Sequence, residues 1–167
     1  GRYEVDFGVE ISGWIRLKDI TAKAGDTIRI DYECESPQGI QRYVCNGSGK
    51  ESYAPHFTWF VFRKAYISGI EQLTSSNLQA EAVNSDVAEN AVFECSNPLF
   101  NQILTIWKRS QKDNMHGSIA SDCPHRERLP YTGDGQGACG IVMEHFDAAA
   151  FYAKWIRDVR DAQNRND

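Results

Sequence analysis

The stretch Ala91–Trp107, AVFECSNPLFNQILTIW, is where the chain changes its hydrophobic period. Before it, apolar and polar residues alternate at the spacing of strands. From Leu99 onward, Leu99, Phe100, Ile103, Leu104, Ile106 and Trp107 recur at helical spacing. Between the two patterns, Ser96-Asn97-Pro98 reads as a helix start. Ser96 or Asn97 is the N-cap, and Pro98 falls in the first turn, where its missing N–H breaks no intrahelical bond. The expected fold class is therefore a β-domain followed by α-helices.

Toward the N-terminus, Tyr3, Val5 and Phe7 share one face and Arg2, Glu4 and Asp6 the other. Val9, Ile11, Trp14, Ile15 and Leu17 continue the extended pattern, with Gly13 as a bulge candidate beside Trp14. Ala24-Gly25-Asp26 is a turn, after which Ile28, Ile30 and Tyr32 alternate with Arg29, Asp31 and Glu33. Residues 36–49 are turn-rich around a short edge strand at Ile40–Cys45. Asn46-Gly47-Ser48 fits a glycosylation sequon, but Asn-Gly is a favoured turn pair and is read as a turn. The densest strand signal is His56–Ile67, whose aromatics are expected in the core. Leu78–Val83 and Ala91–Glu94 add two short strands around a polar turn at 84–90. Six to eight short strands in the first 90 or so residues favour a β-sandwich.

Toward the C-terminus, the first helix runs to about Asn114 and turns polar at Lys108–Asp113. Ala138–His145 is helical, and Asp147 caps a last helix carrying Ala150, Phe151, Trp155, Ile156 and Val159. The apolar faces of these helices need partners.

The 167 residues suit one domain or one small domain plus part of another, and a charge of -5 argues against a dedicated nucleic-acid binder. No apolar run of about 18 residues exists to span a membrane, and the first residues do not form a signal peptide. The five cysteines, Cys34, Cys45, Cys95, Cys123 and Cys139, include no CxxC. They read as mostly free thiols, with Cys34 and Cys45 able to pair only in an oxidising compartment.

Ser121–Gln136, SDCPHRERLPYTGDGQ, concentrates ionisable groups in a stretch whose prolines and glycines oppose regular structure. On composition alone, a structural network of arginines and carboxylates is the first reading and an acid/base site the second. Asp122, Glu127 and Asp134 could converge so that repulsion keeps one protonated, as a general acid requires. His116, Cys123, His125 and His145 fit no compact zinc spacing. Cys123 lacks the surroundings of a thiol nucleophile.

Asp122-Cys123-Pro124, Arg126, Glu127-Arg128-Leu129 and Thr132-Gly133-Asp134 together resemble the signature loop of bacterial α-L-rhamnosidases of glycoside hydrolase family 78. Three more landmarks follow that family's order. Tyr3–Gly8 with Gly13–Leu17 is similar to the opening of its β-sandwich. Phe57-Thr58 with Phe62-Arg63 is similar to a later strand, and Phe93–Leu99 to the entry into its helical domain. The loop departs from the usual D-C-P-x-R-D-E-R-L-G-W-T-G-D: it is one residue shorter, and Pro130-Tyr131 stands for Gly-Trp.

The resemblance implies a β-sandwich over residues 1–92 and, over 93–167, the N-terminal part of an (α/α)6 six-hairpin glycosidase domain, incomplete. It implies hydrolysis of terminal α-L-rhamnose from glycans or glycosides with inversion, by general acid and general base. Glu127 matches the general acid. Asp122, Arg126, Tyr131 and Asp134 match residues that contact the sugar or support the site. The general base lies beyond this chain, so the 167 residues alone are expected to be inactive. No cofactor and no metal are expected. The implied partners are a rhamnose-containing oligosaccharide or glycoside and the rest of the catalytic domain in the parent chain, with no nucleic acid and no membrane. A periplasmic or extracellular setting is preferred. The alternatives are a carbohydrate-binding or structural β-sandwich module, marked by a coplanar exposed platform of Trp14, Trp59 or Tyr53, and a family member that has lost activity.

Overall fold

The computed structural model of the chain describes residues 1–34, 39–117, 119–126, 128–129 and 131–163. The expected turn at Ser36-Pro37-Gln38 lies outside them. Contacts divide the chain into two units: Gly1–Val83 with Pro124–Arg126, and Asn84–Cys123 with Glu127–Asp167.

The first unit is a curled antiparallel sheet. Its strands are β1 (Arg2–Ile20), β2 (Thr27–Tyr32), β3 (Ile40–Val44), β4 (Glu51–Tyr53), β5 (Phe60–Ser68) and β6 (Leu78–Ala82). The order is β3-β2-β5-β1-β4, with β6 also paired to β1. Gly13 pairs with both Phe60 and Ala82, and Leu17 with both Tyr53 and Leu78. A strand has only two edges, so β5 and β4 follow one another along one edge of β1 and β6 runs along the other. Twist accumulated over this 19-residue strand curls the sheet around its inner face.

Alternation fills that face as expected. Ile15, Leu17, Ile28, Ile30, Phe62, Ala65 and Ile67 are buried, with Tyr3, Val5 and Phe7 packed against them. Each buried Leu, Ile or Phe contributes about 1.5–3 kcal/mol. Tyr32 stacks on Phe60 with ring centroids 4.2 Å apart and receives the Ile15 N–H on its hydroxyl at 3.0 Å. The five cysteines are all free.

Several local expectations shift. The bulge is not at Gly13. Asp6 pairs with Lys64 and Ile11 with Phe62, so residues 7–10 of β1 stand opposite Arg63 alone. Gly13 is instead demanded by β6, because a Cβ there would lie 1.8 Å from the Glu81 carbonyl oxygen. The strand expected at His56–Ile67 begins only at Phe60. Phe57 sits in the left-handed region (φ 60) and is fully exposed, Trp59 and Tyr66 are half-buried outside the core, and of that run's aromatics Phe60 and Phe62 join it. The three-residue β4 was not foreseen.

The second unit contains α1 (Pro98–Asp113), a two-residue hairpin pair β7 (Met115–His116) and β8 (Ile119–Ala120), α2 (Thr132–His145) and α3 (Ala149–Ala162). A β-domain followed by helices is thus the observed architecture. Asn97 is the α1 N-cap, its side chain accepting the Leu99 N–H at 3.0 Å, with Pro98 in the first turn. Met115, Val142, Phe146, Ala148, Phe151 and Tyr152 form the core, with Trp107 and Trp155 packed against it.

Ala91–Glu94 is not a strand. The neighbouring residues 88–90 pair instead within the helical unit: Asn90 N–H donates to His145 O at 3.1 Å and Asp147 N–H to Ala88 O at 2.8 Å. Asp147 is therefore used by its backbone, and the residue at the α3 N-cap is Ala148. Leu99, Phe100, Ile103 and Ile106 of α1 are each more than half exposed. Glu89 fastens this helix by accepting from Lys108 Nζ at 3.0 Å and Lys112 Nζ at 2.7 Å. The two ammonium groups, Lys112 first, hold the Glu89 carboxyl below its usual range. No described helix is long and apolar enough to cross a membrane.

Candidate functional site

The stretch expected to be mostly irregular ends in helix, its last five residues, Thr132–Gln136, belonging to α2. α2 begins at Thr132, although it carries Gly133, Gly135, Gly137 and Gly140. Glycine disfavours helix by about 1 kcal/mol relative to alanine. At Gly135 packing explains the residue: a Cβ would lie 2.5 Å from the Trp155 ring of α3. Tyr131 is the N-cap, with its carbonyl accepting the Gly135 N–H at 3.2 Å. Asp134 therefore stands in the first turn of α2, where the helix dipole favours an anion.

Within the helical unit, Asp122 and Asp134 line one cleft of about 200 Å³. Its other described walls are Trp107, Ser110 and Gln111 of α1, the α1 C-cap Asn114, Ser121 and Ala138. The α1 residues and their C-cap are spaced i, i+3, i+4 and i+7, so the polar end of that helix presents one continuous face to the cleft. In the sequence these residues stand only as the polar end of the helix, with nothing local to mark a shared face. Asn114 shapes the cleft: its backbone carbonyl receives the Ser121 N–H at 3.1 Å, and its Oδ1 receives the Ser121 hydroxyl at 3.0 Å. An indole, two carboxylates, amides and hydroxyls around a small cleft are groups that hold a polyhydroxylated ring.

The other expected site residues are placed differently. Glu127 lies outside the described residues. Tyr131 is 43% exposed at the α2 N-cap, and Arg126 is exposed beyond the loop's Pro124 and His125; neither lines the cleft. Arg128 holds φ 55, a strained conformation for a non-glycine residue of a kind that clusters at functional sites. Behind the loop, His116 is buried, and its Nε2 donates to the Asp113 carbonyl at 2.9 Å. Burial, opposed by that hydrogen bond and aided by the Arg128 charge, pushes its pKa down to about 4. His116 is thus a neutral structural group near pH 7. Among the described residues, no three His, Cys, Asp or Glu side chains group to hold a metal ion.

In the first unit, the platform that would mark a binding module does not form. Trp14 is half-buried and donates to Glu81 at 2.7 Å, and Tyr53 stacks on Tyr43 at 4.6 Å. Trp59 is half-buried and donates through Nε1 to the Pro124 carbonyl at 2.9 Å, within the unit that includes Pro124–Arg126.

Comparison with known proteins gives the same picture along the whole chain. Residues 1–84 match the bacterial alpha-L-rhamnosidase concanavalin-like domain, and residues 88–167 the bacterial alpha-L-rhamnosidase 6 hairpin glycosidase domain. An alpha-L-rhamnosidase of Formosa agariphila is 35% identical over 96% of this chain and 19% of its own length. The solved alpha-L-rhamnosidase from Dictyoglumus thermophilum superposes with a TM-score of 0.87 at 33% identity, covering 99% of this chain and 20% of that one. The Streptomyces avermitilis alpha-L-rhamnosidase, solved in complex with L-rhamnose, gives 0.84 at 27% identity over 99% of this chain and 17% of that one. The chain spans about a fifth of the length of these relatives. With both of the family's successive domains matched in order, the chain belongs to the bacterial α-L-rhamnosidase family.

Proposed function

We propose that this chain is part of an inverting glycoside hydrolase that releases terminal α-L-rhamnose from glycans or glycosides. The observation that carries the reading is the shared cleft of Asp122 and Asp134, within a chain whose two domains both belong to the family. Residues 93–167 would then be the first part of the six-hairpin catalytic domain, with the remaining helices covering the exposed faces of α1 and α3. The cleft receives the rhamnose ring. Trp107 offers an apolar wall, and Asp122 and Asp134 accept hydrogen bonds from ring hydroxyls. Arg126 and Tyr131 contribute to sugar binding from the loop and the α2 N-cap. Glu127 protonates the departing glycosidic oxygen. A carboxylate from outside these 167 residues activates water on the opposite face, so the released sugar has inverted configuration.

The protein at the length of its relatives is expected to hydrolyse 4-nitrophenyl α-L-rhamnoside and to release the inverted anomer first, read by NMR. Glu127→Gln should lower kcat by about 100- to 10,000-fold, the range of general acid catalysis. Retained activity in that variant would remove Glu127 from the role. The 167 residues alone should show no turnover.

A further inference from the structure

Within the helical unit, Asp122 reaches its cleft at the end of a chain reversal. α1 stops at Asp113, and Asn114 is its C-cap, with its N–H donating to the Gln111 carbonyl at 3.1 Å. The chain then runs out through β7 and back through β8, Met115 pairing with Ala120 and His116 with Ile119. The outgoing strand is anchored. Met115 is fully buried in the core of this unit, and its carbonyl receives the Ser85 N–H at 2.6 Å. The antiparallel register continues one step toward the helix. Asn114 stands opposite Ser121, whose N–H donates to the Asn114 carbonyl at 3.1 Å. Asp122 is the next residue.

A two-stranded hairpin of this kind holds its returning strand weakly on its own. The Asn114 side chain supplements the ladder. Its Oδ1 accepts the Ser121 hydroxyl at 3.0 Å, and its Nδ2 donates to the Ser110 carbonyl at 2.9 Å. That carbonyl is among the last four of α1, which a helix leaves without partners of its own. One amide therefore grips the helix end with its donor and the returning strand with its acceptor. The Ser110 carbonyl can only accept, so the amide oxygen is turned to Ser121. Ser110, Asn114 and Ser121 line the cleft together with Asp122. Ser121 and Asp122 share a peptide bond, so a Ser121 released from Asn114 moves the carboxylate with it. Misplacing a group in a site by about 1 Å can cost up to about 100-fold.

We propose that Asn114 is a positioning residue for the sugar: by tying Ser121 to the end of α1, it sets where Asp122 stands in the cleft. The proposal rests on the rhamnosidase reading for the identity of that sugar, whereas the tie itself is measured without substrate.

Both measurements use the protein at the length of its relatives. With 4-nitrophenyl α-L-rhamnoside, Asn114→Ala and Ser121→Ala should each raise KM about tenfold while kcat changes by less than about twofold. A merely structural loss would lower the amount of folded enzyme, so kcat would fall and KM would stay. Ser121→Thr keeps the hydroxyl and should raise KM less than Ser121→Ala does. In an Asp122→Asn background, Asn114→Ala should raise KM no further, because the two residues act as one unit. An unchanged KM in Asn114→Ala, or an equal rise in the Asp122→Asn background, would overturn the proposal.

Hydrogen exchange read by mass spectrometry tests the tie apart from the reaction. In Asn114→Ala, residues 114–122 should exchange about two- to tenfold faster, while residues 139–152, which carry the core side chains Val142, Phe146 and Tyr152, should be unchanged. If the unsubstituted protein does not turn over the rhamnoside, the rhamnosidase reading fails by itself. Faster exchange over 114–122 would then leave the positioning of Asp122 standing, and unchanged exchange would remove it as well.

Discussion

The Trp59 indole N–H donates to the Pro124 carbonyl at 2.9 Å, joining residues 65 positions apart. Three residues of the signature loop, Pro124–Arg126, thereby belong to the β unit although their neighbours in sequence belong to the helical one. Trp59→Phe keeps the apolar ring and removes the donor. It should lower unfolding stability by about 1 kcal/mol, the net worth of one such bond. Amide exchange at His125 and Arg126 should accelerate while Ile28 and Ile67 in the sheet stay protected. Unchanged exchange in the loop would mean that the bond does not anchor it.

The glycines of α2 should respond in opposite directions. Gly135→Ala would drive a Cβ into the Trp155 ring and should destabilise the helical unit by about 1–3 kcal/mol. Gly137→Ala meets nothing within 4 Å and should stabilise the helix by about 0.5–1 kcal/mol. Urea midpoints of the two variants, followed by far-ultraviolet circular dichroism, check the contrast.

Glu51 is buried under the turn at Asn46-Gly47, accepting from the Tyr43 hydroxyl at 2.7 Å and from the Asn46 and Gly47 N–H groups at 2.8 and 2.9 Å. The Tyr43 bond foremost, then these amides, lowers its pKa from 4.5. Its contribution to stability is therefore present above pH 4.5 and lost as pH falls through the lower folded value. Glu51→Gln should remove that segment of the acid limb in a pH series of thermal midpoints. The same bond raises the Tyr43 phenol from 10 to about 12, so its contribution is present below pH 10 and lost as pH rises through about 12. Absorbance at the phenolate band should show Tyr43 titrating earlier in Glu51→Gln.

His116, with a folded pKa of about 4 against 6.5 when unfolded, takes up a proton on unfolding between those values. Its contribution is present above pH 6.5 and declines as pH falls toward 4. Imidazole NMR should find His116 still neutral at pH 5. His116→Asn should flatten the pH dependence of the helical unit's unfolding in that window.

The strands β1, β2, β3 and β6 and the start of α1 were legible because their signals are local. Period-two alternation buries Ile28, Ile30 and Tyr32 wherever the sheet closes, and Asn97-Pro98 caps a helix irrespective of what the helix packs against. The start of α2 was not legible, since four glycines argue against helix and only the Trp155 ring over Gly135 shows why one of them is there. The bulge was misplaced for the same reason. Gly13 looks like a bulge glycine in sequence, but its cause is the Glu81 carbonyl of a strand more than 60 residues away.

The candidate site divides along the same line. The sequence by itself determined the order of the two domains, the family and the loop that carries Asp122, Glu127 and Asp134, because motif residues and their spacing are one-dimensional. Only the tertiary structure decided that Asp122 and Asp134 share a cleft with Trp107, Gln111 and Asn114, and that His125 lines a cleft with Glu10 and Glu33. Those groupings depend on how α1 and α2 pack and on how far β1 is extruded opposite Arg63. Both are set by contacts between residues distant in the chain, which no local pattern encodes.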